Sequence, residues 1–315
     1  MLINKNKKLS IFPSKILLFG EYGILKNYTG FSIPNYEYKG YLKFYSKLDK
    51  NVINSNNEIR KFFNFLKIKK FNIINLEKLD KDLKKGIYFK SNIPQKYGIG
   101  SSGSLVAAIY DRYLMYKTSI CNKNLIFIKN IFSNMESFFH GKSSGIDPLI
   151  CYLKKPILVK SNKHISTINI NIKMFNNKNK NNGGIFLINS GLQSNTKKMN
   201  NLFIKKIKEH NFKKIMDQEY EKYNVKCIYS FINRDYKTLL ENIKKLSIWI
   251  FNNIKQMIPK NMLKIWINGI KNDNYYLKLC GSGGGGFFLG FTKDYTKLNN
   301  EFELNKYIRK IIFYF

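Results

Sequence analysis

The segment from Pro94 to Ser104 is the first part of the sequence suited to chemistry, because it combines glycines with serine hydroxyls. It follows an apolar run that predicts a strand and precedes a helical pattern that begins at Ser102. Glycines allow the backbone to approach a ligand closely, and the start of a helix presents unpaired N–H groups with a partial positive charge. These features predict a loop that binds phosphate, although an ordinary turn between a strand and a helix would have a similar composition.

The spacing of Gly98, Gly100 and Gly103 also fits the G-x-G-x-x-G pattern of dinucleotide-binding proteins. That fold requires an acidic residue about 20 positions further on to bind the ribose. Residues 117–122 contain no carboxylate, so this alternative is disfavoured. A P-loop is excluded, because the sequence G-x-x-x-x-G-K followed by Ser or Thr does not occur.

Two carboxylates stand out in a chain that has 20 acidic residues against 55 Lys and Arg. Glu136 lies on a predicted helix over residues 124–139, and Asp147 lies in the loop 140–148 that follows. Phosphoryl transfer needs ligands for Mg²⁺ and a group that accepts or orients the proton of the attacking hydroxyl. A carboxylate on a rigid helix suits the first task, and one in a tight loop suits the second. The alternatives are a solvated helix face for Glu136 and a turn or an N-cap for Asp147.

A second glycine cluster, with five glycines in residues 281–286, joins predicted strands at 275–280 and 287–289. A tight turn needs at most two glycines, so the excess indicates that something bulky lies against bare backbone. The alternative is that the glycines arose by low-complexity drift, without a function. This explanation is less convincing here because glycine codons are G-rich, whereas the abundant Lys, Asn and Ile of this chain share A/T-rich codons.

The composition indicates a folded protein with a strongly basic surface. The chain has 315 residues, of which 44% are hydrophobic and 15% aromatic, which is enough for a core in two domains or one large one. The net charge of +35 would suit a nucleic-acid-binding protein. Compositional drift explains it better, since Arg is scarce and no basic stretch alternates with aromatic residues. We therefore expect no specific nucleic-acid partner.

The remaining features predict a cytoplasmic protein. None of the four cysteines forms a C-x-x-C pair, and the three histidines make no zinc-binding pattern, which suits a reducing compartment. No apolar run reaches the 18 residues of a transmembrane helix. The apolar run Ile16–Phe19 is too short for the core of a signal peptide.

The elements that would position these residues are mixed along the chain, which favours an α+β fold. The predicted strands cover residues 11–19, 31–46, 86–93, 156–170, 185–189, 275–280 and 287–289. The predicted helices cover residues 58–67, 124–139, 197–232, 235–256 and 299–312, with a further helix from Ser102. The Asn- and Lys-rich stretch 171–184 predicts an exposed loop. We place the domain boundary beside it, giving domains 1–182 and 183–315.

These features occur in an order that resembles the GHMP kinases, which include galactokinase, homoserine kinase, mevalonate kinase and phosphomevalonate kinase. The segment Pro13–Tyr22 resembles the first family motif, Pro94–Gly103 the second and Lys278–Gly286 the third. Residues 136–147, with Glu, His-Gly, Ser-Gly-Ile and Asp at their family spacing, are most similar to the mevalonate kinases. The resemblance covers most of the chain.

The resemblance implies transfer of the γ-phosphate of ATP to a hydroxyl of mevalonate, giving 5-phosphomevalonate in isoprenoid biosynthesis. By resemblance, Asp147 is the catalytic base with Lys15 as its partner, and Ser102 and Glu136 hold Mg²⁺. The residues implied to bind ATP are Pro94, Gly98, Ile99, Gly100, Ser101, Ser102, Gly103 and Ser104. The residues implied to contact the substrate are Lys15, Glu21, Tyr22, Asp147, Thr196, Gly281, Ser282 and Gly283.

The implied fold has an N-terminal domain that resembles ribosomal protein S5 domain 2 and a ferredoxin-like C-terminal domain. The implied partners are ATP and a small-molecule alcohol, with no membrane; a homodimer is compatible with this interpretation. Three residues depart from the usual pattern: Tyr22 replaces His, Cys280 replaces Thr, and Ser194 replaces Arg. They leave homoserine, phosphomevalonate or a sugar open as the acceptor. A basic nucleic-acid-binding protein on a kinase scaffold is a more remote alternative.

Overall fold

The computed structural model describes residues 9–47, 49–116, 124–161, 163–170, 183–298 and 307–315. The chain divides into two compact units, each built from several segments. The first unit consists of Met1–Lys15, Pro34–Pro94 and Gly100–Lys154. The second consists of Ile16–Ile33, Gln95–Ile99 and Lys155–Phe315. The domain boundary at 182/183 remains a prediction, and residues 171–182 lie outside the described residues.

Strands and helices alternate irregularly along the described parts of the chain. The strands are β1 (Phe12–Phe19), β2 (Gly30–Phe44), β3 (Ile87–Ser91), β4 (Ile157–Ser161), β5 (His164–Thr167), β6 (Gly184–Asn189), β7 (Tyr275–Leu279), β8 (Phe287–Thr292) and β9 (Ile308–Tyr314). The α-helices are α1 (Lys50–Ile68), α2 (Leu76–Lys84), α3 (Ser101–Tyr113), α4 (Leu125–His140), α5 (Ile146–Leu153), α6 (Thr196–Lys206), α7 (His210–Ile215), α8 (Glu221–Ile232), α9 (Tyr236–Asn253), α10 (Lys260–Asn272) and α11 (Tyr295–Leu298). This mixture with antiparallel sheets confirms the predicted α+β class.

In the first unit, helices pack around α3 and cover strand β3. Helix α3 packs on α4 and α5, while α1 packs on α2 and β3. Small side chains such as Ala107 and Ala108 let α3 lie deep in the core, where every residue from Gly103 to Tyr110 is buried. The end of β2, Gly40–Phe44, pairs antiparallel with β3. Helix α3 can therefore hold the residues at its own start in a fixed position.

The second unit contains a four-stranded antiparallel sheet in the order β7-β8-β6-β9, with α9 and α10 packed on β7. Every residue of β7 and β8 is buried, which suits their mostly apolar sequences; Lys278 and Thr292 are the polar exceptions. In the same unit, Gly30–Ser32 of β2 pairs with Ile157–Val159 of β4, and β4 pairs with β5. The sheet therefore fixes both ends of the second glycine cluster, which connects β7 to β8.

One predicted helix was wrong, and one was interrupted. Residues 308–312 belong to strand β9, which pairs with β6 and contains β-branched isoleucines followed by Phe313 and Tyr314, all residue types that favour strands. Residues 299–306 lie outside the described residues. The predicted helix 197–232 is divided into α6, α7, a π-helical turn and α8. Within the described parts of the chain, no helix is long and apolar enough to cross a membrane.

Candidate active site

The central feature of the first unit is an ion pair between Lys15 and Asp147. Lys15 lies on β1, and Asp147 lies in the first turn of α5 rather than in the loop that the sequence predicted. Lys15 Nζ is 3.1 Å from Asp147 Oδ2, and the two side chains are 7% and 33% exposed. The ammonium group is thus held inside the protein, while the carboxylate remains accessible to a reactant. The ion pair fixes the position of the carboxylate, and a carboxylate in such a position can accept a proton from a reactant.

Two glycines of the first glycine loop lie directly against this pair. A Cβ atom added to Gly103 would lie 2.8 Å from the carbonyl carbon of Asp147 and from the nitrogen of Pro148. A Cβ atom on Gly100 would lie 2.8 Å from Lys15 Cγ. The starts of α3 and α5 therefore approach each other at backbone distance, which only glycine permits. Asp147 therefore lies beside residues 100–103 of the glycine loop.

Ser102 and Glu136 also come together in the first unit. Ser102 Oγ donates a hydrogen bond to Glu136 Oε1 at 3.0 Å, and it lies 3.0 Å from His140 Nε2. Glu136 is 3% exposed. Burial, followed by the nearby charge of Asp147, raises the pKa of Glu136 to about 7, although hydrogen bonds from two serines and the charge of Lys15 oppose the shift. Burial also lowers the pKa of His140.

The Ser102–Glu136 pair fits a magnesium ion. Hydroxyl and carboxylate oxygens are hard donors of the kind that Mg²⁺ prefers, and a nearby cation would stabilise the ionised form of this buried carboxylate. The described residues contain no cluster of three or more His, Cys, Asp or Glu that could hold a metal. A cation bound here would therefore need further ligands, and nucleotide phosphates and water are the usual ones for Mg²⁺.

The two glycine-rich segments touch each other within the second unit. A Cβ atom on Gly98 would lie 2.4 Å from the carbonyl oxygen of Cys280, and one on Gly286 would lie 2.8 Å from the carbonyl oxygen of Tyr97. Both glycines have positive φ, at 79° and 73°. The backbone N–H of Ser194 also donates to the carbonyl oxygen of Lys96 at 2.9 Å. The excess of glycine in residues 281–286 predicted that something bulky lies against the backbone there. The backbone of the first glycine loop, at Tyr97 and Gly98, is part of what lies there.

Most of the predicted substrate-side residues of the second unit form one hydrogen-bonded group. Tyr22 donates to the carbonyl oxygen of Ser282 at 2.5 Å, and its ring stacks on Phe203. Ser282 Oγ donates to Thr196 Oγ1 at 3.3 Å. Ser194, which replaces the usual Arg, donates to the carbonyl oxygen of the neighbouring Gly283 at 2.6 Å. Burial raises the pKa of Tyr22, so its hydroxyl remains a donor.

Two residues predicted to bind ligands have their polar groups engaged inside the protein. The carboxylate of Glu21 forms an ion pair with Lys278, and both side chains are almost fully buried. Ser104 is fully buried, and its hydroxyl donates to the carbonyl oxygen of Phe12 at 3.1 Å. Their contacts with substrate and ATP remain predictions.

Sequence reasoning missed Ser143, whose hydroxyl donates to Glu136 Oε2. It lies in the loop before α5, among small residues whose composition indicates only a turn. The sequence offers one indirect signal, since a carboxylate that is buried needs more than one hydrogen-bond donor. Sequence spacing alone does not show which of the nearby serines is the second donor to Glu136.

Comparisons with known proteins identify relatives of this fold. Residues 61–155 match the family model of the GHMP kinases N terminal domain. No curated protein sequence matches the chain significantly. Mevalonate kinase from L. major, solved in complex with R-mevalonate, has a TM-score of 0.62 at 16% sequence identity, over 96% of this chain and 91% of that chain.

Two further solved structures cover nearly the whole chain. Mevalonate kinase from Methanococcus jannaschii has a TM-score of 0.60 at 19% identity, over 98% of both chains. Phosphomevalonate kinase from Streptococcus pneumoniae, in complex with phosphomevalonate and AMPPNP, has a TM-score of 0.62 at 14% identity, over 96% of this chain and 98% of that chain. Identities this low establish a shared fold and leave the substrate open. Residues 61–155 thus resemble the N-terminal domain of the GHMP kinases, and the chain shares the fold of these kinases.

Proposed function

We propose that this protein is an ATP-dependent kinase that transfers the γ-phosphate of ATP to the hydroxyl of mevalonate, giving 5-phosphomevalonate. The observation that carries the proposal is the Lys15–Asp147 ion pair beside Gly100 and Gly103. A proton acceptor is thereby held against the glycine loop at the start of a helix, where phosphate binding is favoured. Phosphoryl transfer depends mainly on such positioning and on electrostatic stabilisation.

Each residue of the first unit has a distinct task in this proposal. Asp147 accepts the proton of the alcohol as its oxygen attacks phosphorus. Lys15 orients the carboxylate and stabilises negative charge that develops on the reacting oxygens. The backbone N–H groups at the start of α3 bind phosphate oxygens. Ser102 and Glu136 would hold Mg²⁺, which when bound neutralises phosphate charge and orients the phosphates.

Mevalonate is the favoured acceptor for two reasons. The spacing of residues 136–147 is most similar to the mevalonate kinases, and two of the neighbours described above are mevalonate kinases. Phosphomevalonate is the second candidate, supported by the phosphomevalonate kinase among the neighbours and by the departures at Tyr22 and Ser194. Both departures lie in the group of hydroxyls around Ser282.

A panel of alcohols tests the acceptor directly. ADP release should be measured in a coupled assay with mevalonate, phosphomevalonate, homoserine and galactose, each at a series of concentrations. The proposal predicts that kcat/KM is highest for mevalonate and that release without an alcohol is far slower. ADP release with another alcohol and none with mevalonate would contradict the substrate assignment while preserving the kinase activity.

A further inference from the structure

The hydroxyl of Ser143 contacts both the candidate metal ligand and the start of the helix that carries the candidate base. Ser143 Oγ donates to Glu136 Oε2 and accepts a hydrogen bond from the backbone N–H of Gly145 at 3.0 Å. Gly145 is the residue immediately before α5, and Asp147 lies in the first turn of that helix. One side chain therefore connects the carboxylate on α4 to the helix that holds Asp147.

The backbone on either side of this hydroxyl is tied to α4. The carbonyl oxygen of Ser143 accepts a hydrogen bond from Ser133 Oγ at 2.6 Å. A Cβ atom on Gly145 would lie 2.1 Å from the carbonyl oxygen of Lys129 and 2.6 Å from the nitrogen of Ser133. The loop is thus packed directly on the helix backbone, so the Ser143 hydroxyl has a defined direction toward Glu136.

Each oxygen of the Glu136 carboxylate accepts a hydrogen bond from one serine. Ser102 donates to Oε1, and Ser143 donates to Oε2. Removal of the second donor would leave a buried carboxylate oxygen without its hydrogen bond and would free the group to rotate. Groups that orient a metal ligand in this way usually contribute strongly to metal affinity.

We propose that Ser143 is a positioning residue that orients the Glu136 carboxylate for a divalent cation and fixes the start of α5, and with it Asp147. The proposal rests on the proposed function in its assignment of Glu136 and Asp147. Ser143 itself contacts neither substrate nor reacting atoms. Its loss should therefore weaken cation binding and slow transfer, while the KM for the alcohol should change little.

The test uses Mn²⁺ as the probe, with a non-hydrolysable ATP analogue, and compares the unsubstituted protein with Ser143→Ala. Mn²⁺ affinity, measured by electron paramagnetic resonance, should fall by about 10–100-fold in the alanine variant, and kcat should fall by a similar factor. Ser143→Thr retains a hydroxyl and should recover most of both. The control is Ser137→Ala on the same helix, because Ser137 is only partly buried and its hydroxyl donates to the carbonyl oxygen of Asn134.

Thermal unfolding of each variant separates positioning from folding. If Ser143→Ala does not fold, Ser143→Cys, which has only a weak donor, takes its place in the same comparison. The proposal is overturned if the folded variant binds Mn²⁺ as tightly as the unsubstituted protein, if Ser143→Thr binds as weakly as alanine, or if the unsubstituted protein binds no Mn²⁺. If the protein phosphorylates none of the alcohols, the proposed function is refuted, but the proposal for Ser143 can still be tested because the Mn²⁺ comparison needs no turnover.

Discussion

Replacement of Asp147 by asparagine is expected to lower kcat by about 10²–10⁴-fold, while the affinity for ATP changes little. Asparagine has nearly the same shape as aspartate, but its amide cannot accept the proton of the alcohol. The side chain is close to Gly100 and Gly103 and paired with Lys15, so the loss of charge acts at the predicted reaction centre. Steady-state kinetics and titration with a non-hydrolysable ATP analogue measure the two effects separately.

Folding must be controlled in this experiment, because the substitution removes the partner of a buried ammonium group. The double variant Lys15→Met/Asp147→Asn removes both charges and should recover part of any lost stability without recovering activity. Asp80→Asn serves as a matched control, since Asp80 forms a surface ion pair with Lys84. A near-normal kcat in the folded Asp147→Asn protein would refute the role of Asp147 as base.

Replacement of Lys278 by methionine is expected to destabilise the protein by about 3–5 kcal/mol. Lys278 is fully buried and forms an ion pair with the buried carboxylate of Glu21. Its Nζ atom also donates to the carbonyl oxygen of Leu279 at 2.9 Å. Methionine fills much of the same volume, so the main effect is an uncompensated charge on Glu21. Urea unfolding measures the change in the free energy of unfolding.

The same substitution at a surface lysine provides the control. Lys293 pairs with Asp273 at 3.4 Å, and both side chains are about half exposed, so Lys293→Met should change stability by less than about 1 kcal/mol. The double variant Lys278→Met/Glu21→Gln removes both buried charges and should recover much of the loss. Equal effects of the two lysine substitutions would show that the buried pair does not stabilise the second unit.

The parts of the site that the sequence predicted are those specified by local patterns. The strand–glycine loop–helix order around Ser102 follows from periodicity and from glycine at positions of positive φ, such as Gly98 and Gly100. The family resemblance implies that Asp147 and the glycine loop serve the same reaction. Gly103 supplies the physical reason why the two backbones can approach each other closely. The roles of these residues in catalysis remain predictions.

The parts that the sequence did not predict depend on contacts between distant residues. Helix α5 has only 8 residues, about two turns, and begins among serines and glycines, so no periodic pattern marks it. Strand β9 is defined by its pairing with β6. Glu21 pairs with Lys278, a residue far away in the sequence, and no local sequence pattern predicts such a contact. In each case tertiary packing decides what the local sequence leaves open.

The most direct test of the kinase assignment is to follow the γ-phosphate of ATP itself. The unsubstituted protein should be incubated with mevalonate, a magnesium salt and ATP labelled at the γ-phosphate, and the products should be separated. We predict that the label appears in a phosphate monoester of mevalonate, and that Asp147→Asn yields almost none of it. Label found only as inorganic phosphate, or equal transfer by both proteins, would contradict the account.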